Sequence, residues 1–154
     1  MKVRIELIDG LPEDEVLIRC GQVDEKLQKI HKYILDQSKV VSEMTFYKQN
    51  TEYYFPLDNV LFFETEGEHI YAHTFNDEYK IKFRLCELDE ILPRQFIRTS
   101  KSAIVNTRQV YSIVRNFTAS SLIQFKDSHK NVYVSRHYFN DLRKRLNERS
   151  SYEK

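Results

Sequence analysis

The sequence predicts a mainly β protein of the α+β class, built from antiparallel strands with few helices. From Met44 onward, short β-type segments recur about every eight to twelve residues, as they do in sandwiches and barrels. Aromatic residues, all of them Tyr or Phe, make up 13% of the chain, and their flat rings pack well on a pleated sheet. At 154 residues the chain falls within the usual range of one main domain.

The first 43 residues are predicted to form a small β-β-α unit. Residues 2–8 alternate apolar and charged side chains, which is typical of a strand, and residues 15–20 form a second apolar segment. After Gly21, apolar residues at positions 23, 27, 30 and 34 have helical spacing. Asp24 and Glu25 fall in the first turn, where they complement the helix dipole, and Lys39 lies just past the end. A unit this small cannot bury a core alone, so we expect it to pack on the main domain or on another subunit.

Ten β-type segments follow between residues 44 and 135. Residues 76–78, Asn-Asp-Glu, separate the fourth from the fifth and suit a hairpin connection, because Asn and Asp tolerate the left-handed conformation. In the fifth segment the aromatic and aliphatic side chains alternate with Lys80 and Lys82, so one face of that strand is in contact with water. The ten segments read MTFYKQ, YYFP, NVLFFET, HIYAHTF, YKIKFR, FIRTS, AIVNT, VYSIVRNF, SLIQFKD and NVYVS.

Two more helices are predicted, one among the strands and one after them. Residues 85–92 carry leucines at helical spacing, and Pro93 ends this short internal helix. Ser135 is a favourable N-cap residue for a C-terminal helix whose apolar face holds residues 139, 142 and 146.

Charge is distributed unevenly along the chain. The formal net charge is +1, but residues 94–149 carry 12 Lys and Arg against 3 Asp and Glu, a net charge of +9. Residues 46–93 carry 4 against 10, a net charge of −6. A local basic excess is typical of a surface that binds a polyanion. A solvated basic face balanced by the acidic middle third explains the charge equally well, so charge alone does not decide.

Composition excludes several classes of protein. Only three Gly and three Pro exclude collagen-like and Pro-rich disordered chains. No apolar run reaches the ~18–20 residues that span a bilayer, and the first ten residues contain acids where a signal peptide is apolar. We therefore expect a cytoplasmic protein. Cys20 and Cys86 are then expected to be free thiols.

Catalytic and metal-binding signatures are not found. The three glycines are too far apart for a P-loop or a dinucleotide fingerprint, and no nucleophile-elbow serine or Cys–His signature occurs. His69 and His73 lie four residues apart, which on a strand is about 13 Å and too far to share one ion. We predict a protein without enzymatic activity, cofactor, metal site or small-molecule substrate.

Three ordered motifs indicate a family. They are FFE-x-x-x-x-H at residues 62–69, F-x-R-x-x-x-S-x-I-V-N at residues 96–106, and V-S-R-x-Y at residues 134–138. With them, residues 44–148 resemble the LytTR DNA-binding family of bacterial transcription regulators. The resemblance implies an elongated, antiparallel β sandwich with a short internal helix and a C-terminal helix. It also implies loops that read successive major grooves, and the low helix content agrees by excluding a helix-turn-helix in residues 44–134.

The resemblance implies three groups of DNA-binding residues. In the loop after the third strand, His69 matches a base-contacting histidine of the family, although a polar residue at a strand start has the same appearance. In the second loop, Ser100 departs from the histidine that is frequent there, while Lys101, followed by Ser102, can reach guanine or a phosphate.

The third group begins the last helix. His137 stands where a base-reading arginine is frequent in the family, and the histidine side chain is shorter. Arg136 beside it is then expected to carry more of the affinity. The alternative interpretation of both residues is a solvated helix start.

The predicted organisation has three parts. Residues 1–43 form a regulatory or dimerisation unit, residues 44–148 the DNA-binding domain, and residues 149–154 a polar tail. Forty-three residues cannot make the receiver domain that precedes this domain in the best-known members, so we expect no control by phosphorylation.

The expected partner is double-stranded DNA with promoter direct repeats or paired half-sites, bound by a homodimer, because one small module seldom gives enough specificity against a genome. The resemblance also implies a membrane protein as a candidate inhibitor acting through the N-terminal unit. The alternative function is a protein–protein interaction module, an anti-regulator with the same fold, because Ser100 and His137 both depart from the family's usual readers.

Overall fold

The structure, a computed structural model, describes residues 1–11, 14–38 and 43–152 and divides the chain into two compact units, Met1–Gln37 and Ser38–Lys154. The sequence placed the boundary slightly later, between residues 43 and 44. No helix in the described ranges is long and apolar enough to cross a bilayer.

The first half of the N-terminal unit differs from its prediction. Residues 1–11 and 14–24 form no strand, so the two strands predicted there are wrong. Val3, Ile5 and Leu7, which form the apolar face of the first predicted strand, are 87%, 91% and 93% exposed. An alternating pattern specifies a strand only where a neighbouring layer covers the apolar side chains, and a two-stranded hairpin alone is marginal in water.

The predicted N-terminal helix is confirmed as α1, Glu25–Ser38. Asp24 caps it, because the Asp24 Oδ1 accepts a hydrogen bond of 2.8 Å from the backbone N–H of Leu27. Leu27, Ile30 and Ile34 are half-buried along one face, as their spacing predicts, whereas Val23 is exposed. Lys39 lies outside the described residues.

All ten predicted β segments form strands, and every pairing between them is antiparallel. The strands are β1 Glu43–Lys48, β2 Thr51–Pro56, β3 Phe62–Glu66, β4 His69–His73, β5 Glu78–Ile81, β6 Phe96–Ser100, β7 Ala103–Asn106, β8 Val110–Val114, β9 Ser121–Phe125 and β10 Asn131–Val134. Seven form a large sheet in the order β2-β1-β5-β4-β3-β7-β6, and three form a small sheet in the order β10-β9-β8.

The central strands β3 and β7 of the large sheet bury side chains on both of its faces. Phe63 points into a core formed with the short helix α2, Leu85–Ile91, whereas its neighbour Phe62 points into a second core. That second core is completed by the small sheet and by Leu142 of the C-terminal helix α3, Arg136–Tyr152. The predicted mainly β sandwich with an internal and a C-terminal helix is therefore confirmed.

Two details of α3 correct the sequence analysis. The helix continues through Tyr152, so residues 149–152 are not a tail, and residues 153–154 lie outside the described part. Arg149 explains the extension, because its guanidinium donates to the backbone carbonyls of Thr107 and Val110 in the main domain. Ser135 precedes the helix as predicted, but its buried Oγ makes no hydrogen bond within the described residues and so does not cap it.

Candidate nucleic-acid interface

His69 projects from a tight turn between β3 and β4. Glu66 and His69 are the last paired residues of this hairpin, and Gly67 and Glu68 form the turn itself. Gly67 has a φ of +64°, a left-handed conformation that glycine adopts without strain. The side chains of Glu66, Glu68 and His69 are exposed, so this turn presents one imidazole flanked by two carboxylates.

Lys101 and Ser102 form the turn between β6 and β7, closed by the pairing of Ser100 with Ala103. The Ser100 Oγ accepts a hydrogen bond of 3.1 Å from the Ser102 N–H and lies 3.2 Å from the Ser102 Oγ. These contacts hold the half-buried Ser100 within the turn. Lys101 and Ser102 are exposed.

Arg98 stabilises the same turn through hydrogen bonds to its backbone. Its Nη1 donates to the backbone carbonyls of Ser100 at 3.2 Å and Lys101 at 2.8 Å, while its Nε donates to the Asp89 carboxylate on α2 at 2.9 Å. The Arg98 side chain is 22% exposed. It therefore fixes the backbone on which Lys101 stands.

The start of α3 lies beside β6. The Ser135 N–H donates to the Thr99 carbonyl at 2.9 Å, which places Arg136 and His137 next to the β6–β7 turn. Both side chains are exposed, and the His137 ring meets the Tyr138 ring edge-on with centroids 5.0 Å apart.

The structure brings the six predicted site residues to one end of the main domain. β3 pairs with β7, and the Thr65 N–H donates to the Ser102 carbonyl at 2.8 Å, so the two turns are neighbours. In the strand order β4-β3-β7-β6 the β3–β4 turn lies next to the β6–β7 turn, and the hydrogen bond between Ser135 and Thr99 adds the α3 start, so the three segments form a row. Adjacent strands are about 4.8 Å apart, so the two turns are spaced by roughly 10 Å.

A fourth segment at this end was missed by the sequence analysis. The guanidinium of Arg115, in the loop between β8 and β9, lies over the Phe139 ring of α3 at 4.5 Å and over the Phe117 ring at 4.6 Å. The Asn116 N–H donates to the Ser121 Oγ at 3.0 Å and fixes the loop base. The signal available in the sequence was an arginine of the basic third, Arg115, followed two residues later by the aromatic Phe117.

Below the β3–β4 turn, charged side chains surround the buried His73. The His73 Nε2 lies 3.0 Å from the Glu66 Oε1, and its Nδ1 lies 3.4 Å from the Lys130 Nζ. Burial, together with the Lys130 charge, lowers the pKa of His73, and burial raises the pKa of Glu64 nearby. These contacts fit a neutral imidazole that carries its proton on Nε2. His69 stands at the opposite end of β4.

Comparison with known proteins agrees with this geometry. Residues 50–147 match the sequence profile of the family described as the LytTr DNA-binding domain. Two proteins of Staphylococcus aureus, from strains NCTC 8325 / PS 47 and N315, are each 27% identical over 146 residues, which cover 95% of this chain and 98% of theirs. Both are named uncharacterized HTH-type transcriptional regulators.

A solved LytTr DNA-binding domain from Bacillus cereus has the same fold. It superposes with a TM-score of 0.63 at 25% sequence identity, covering 69% of this chain and 97% of that one. The profile match covers well over half of the chain, and the matched strands carry the turns described above. The chain therefore belongs to the LytTR DNA-binding family.

Proposed function

We propose that this protein is a sequence-specific transcription regulator that reads the major groove of DNA with the row of segments at one end of its main domain. The observation that carries the proposal is the convergence of the β3–β4 turn, the β6–β7 turn and the α3 start, tied together by two backbone hydrogen bonds of 2.8 and 2.9 Å. Turns on a rigid sheet present a few side chains in fixed register, as base reading requires.

Helix insertion in the manner of a helix-turn-helix does not suit this domain. The Staphylococcus aureus relatives carry that term in their names, but within residues 43–134, all of which are described, α2 is the only α-helix among ten strands. It is seven residues long and packs Leu85 and Leu88 into the core. The projecting turns are therefore the elements available to enter a groove.

The charges of the exposed side chains at this end of the domain indicate which of them contact bases and which contact phosphates. Lys101, Arg115 and Arg136 are exposed cations suited to phosphates or guanine, and the positive pole of α3 lies beside Arg136. His69 instead has Glu66 as its cross-strand partner and Glu68 as its neighbour in the chain, and their carboxylates repel phosphates. We therefore assign His69 to base contact, and Arg136 and Arg115 to the backbone.

Two predicted site residues receive lesser roles. The Ser100 hydroxyl accepts a hydrogen bond from the Ser102 N–H and shapes the turn, so we assign Ser100 no base contact of its own. His137 is exposed at the helix start and remains a candidate reader of shorter reach than the arginine that is frequent at its position. These assignments follow from the hydrogen bonds and exposure of each side chain.

Regulation is assigned to the N-terminal unit. Val3, Ile5 and Leu7, together with Val16 and Leu17, are more than half exposed, which is the composition of a surface that binds a partner. A second copy of the chain, which would occupy paired half-sites, is the partner we propose first. A membrane-bound inhibitor remains the other candidate for this surface.

The test is to titrate variants against the gene's own upstream DNA and a scrambled duplex at several salt concentrations. His69→Ala is expected to cost about 1–3 kcal/mol on the specific duplex only. Arg136→Ala and Arg115→Ala are expected to weaken binding to both duplexes and to lower the salt slope by about one. The result for Lys101→Ala shows whether Lys101 contacts a base, with a loss on the specific duplex only, or a phosphate, with a loss on both duplexes.

Matched controls lie at the opposite end of the same sheets. Lys126 follows β9 and Arg108 follows β7, both exposed, so Lys126→Ala and Arg108→Ala remove the same charges away from the row. Their DNA affinity is expected to stay close to wild type. If the full chain binds no DNA, or if all row variants bind like the wild type, the interaction-module alternative replaces this proposal.

A further inference from the structure

Three side chains of the metal-ligating types converge beneath the β3–β4 turn. One ligand atom from each of Glu64, Glu66 and His73 lies within 4.8 Å of the other two. Glu64 and Glu66 are two residues apart on β3, and His73 pairs with Phe62 on β4, so all three occupy the same face of the large sheet. Of the three residues, only Glu66 also enters the DNA-binding proposal, as a carboxylate near His69.

Two further observations indicate a cation. His73 is only 8% exposed, and its ring stacks on Phe62 with centroids 4.4 Å apart, which fixes Nε2 toward the Glu66 carboxylate at 3.0 Å. Glu64 is half-buried, yet no hydrogen-bond donor or cation pairs with its carboxylate among the described residues. A carboxylate that loses water without gaining a partner is unfavourable, and a bound ion would remove that cost.

We propose that Glu64, Glu66 and His73 form a site for a divalent transition metal of the zinc class, with His73 binding through Nε2. Zinc accepts imidazole nitrogen and carboxylate oxygen together and takes water as a fourth ligand, whereas Ca²⁺ and Mg²⁺ prefer ligand sets of oxygen alone. The ion would join β3 to β4, with Glu66 next to the β3–β4 turn and His73 at the opposite end of β4 from His69. The sequence analysis predicted no metal site because it considered only the pair His69 and His73.

Two neighbouring side chains affect metal binding at His73: Glu78 favours it and Lys130 opposes it. When Nε2 binds a metal, the proton of the neutral ring moves to Nδ1, and the Glu78 Oε2, 3.8 Å from Nδ1, is the nearby acceptor. Lys130 then loses its contact with Nδ1 and keeps its hydrogen bond of 2.5 Å to the Asp77 carbonyl. Because the Lys130 charge repels a cation, removing that charge should strengthen metal binding.

The experiment is a Zn²⁺ titration of the full chain in competition with a chromophoric chelator in metal-free buffer. We expect one Zn²⁺ per chain, a loss of at least about tenfold in affinity for Glu64→Gln and Glu66→Gln, and tighter binding for Lys130→Met. Glu68→Gln is the matched control, because it removes the same charge from the same turn outside the cluster and should leave zinc affinity unchanged.

A second measurement uses the wild-type protein alone, so it does not depend on whether a variant folds. In the wild-type protein labelled with ¹⁵N in its five histidines, Zn²⁺ is expected to shift the His73 Nε2 resonance first. Equal zinc affinity in the Gln variants and their control, no zinc bound, or shifts confined to the other histidines would each overturn the site.

Discussion

Arg98 acts on the candidate interface without belonging to it. Its guanidinium connects Asp89 on α2 to the carbonyls of Ser100 and Lys101. We expect Arg98→Gln to loosen the turn and weaken DNA binding, with a stability loss of about 1 kcal/mol because the side chain is partly exposed. The DNA affinity of the variant and its free energy of unfolding in urea are both measured and compared with wild type.

Asp89→Asn separates this positioning role from direct contact with DNA. If Arg98 acts by holding the turn, removing its carboxylate partner also weakens DNA binding. Loss of an acidic charge by itself should strengthen attraction to a polyanion, so unchanged or tighter binding in Asp89→Asn would contradict the positioning role.

Asn106, the last residue of the second motif, is a structural residue. It is fully buried, its Nδ2 donates to the Val60 carbonyl at 2.9 Å, and its Oδ1 accepts from the Arg108 N–H at 3.1 Å. Asn106→Ala leaves both backbone groups without partners, so we expect a loss of about 2 kcal/mol in the free energy of unfolding. Asn140→Ala, at an exposed position on α3, is the control and should change it by less than about 0.5 kcal/mol.

At the scale of elements, the β4–β5 turn is held by an ion pair. The Asp77 Oδ1 accepts from the Lys48 Nζ at 2.5 Å and from the Glu78 N–H at 2.8 Å. The hydrogen bond with Lys48, followed by that with Glu78, lowers the pKa of Asp77 below its ordinary 3.8. A carboxyl with a lowered pKa stabilises the fold fully above its ordinary pKa and loses that contribution as the pH falls through the lowered value.

Asp77→Asn is therefore expected to be less stable than wild type at neutral pH, by an amount that shrinks as the pH falls below 3.8. Urea unfolding of both proteins at neutral pH and at about pH 3 measures the difference. A deficit that stays constant across this range would show that the charge of Asp77 does not stabilise the turn.

At the scale of the whole molecule, DNA contact and regulation are expected to separate. All the turns of the row lie in the unit Ser38–Lys154, so a chain of residues 43–154 should keep its affinity for a single half-site. Paired half-sites should then be bound without cooperativity, because the proposed dimerisation surface is removed. Sedimentation of both proteins and titration on one and two half-sites measure this, and circular dichroism checks that the shorter chain folds.

Two outcomes would contradict that separation. Loss of all DNA binding in a folded 43–154 chain would place reading residues in the N-terminal unit. Retained dimerisation would place the subunit contact in the LytTR domain itself.

The sequence alone determined the elements of the main domain. The short apolar periods between residues 44 and 134 located all ten strands, and the leucines of residues 85–92 located α2, because these segments bury one or both faces and the period reports that burial directly. Phe62 and Asn106 were named as members of the family motifs, and each fills a buried position. The alternation over residues 2–8 failed as a predictor because nothing covers those side chains in their unit.

Only the tertiary structure shows which of the site residues lie close together. His69, Lys101 and Arg136 are separated by more than thirty positions from one to the next, and only the order β4-β3-β7-β6 with the Ser135–Thr99 hydrogen bond places them in one row. The same holds for Arg98 beneath its turn, Arg115 over Phe139, and Glu64 beside His73. Strand order and the packing of α3 set these contacts through interactions between distant segments, and a one-dimensional pattern of periods and charges carries no record of such neighbours.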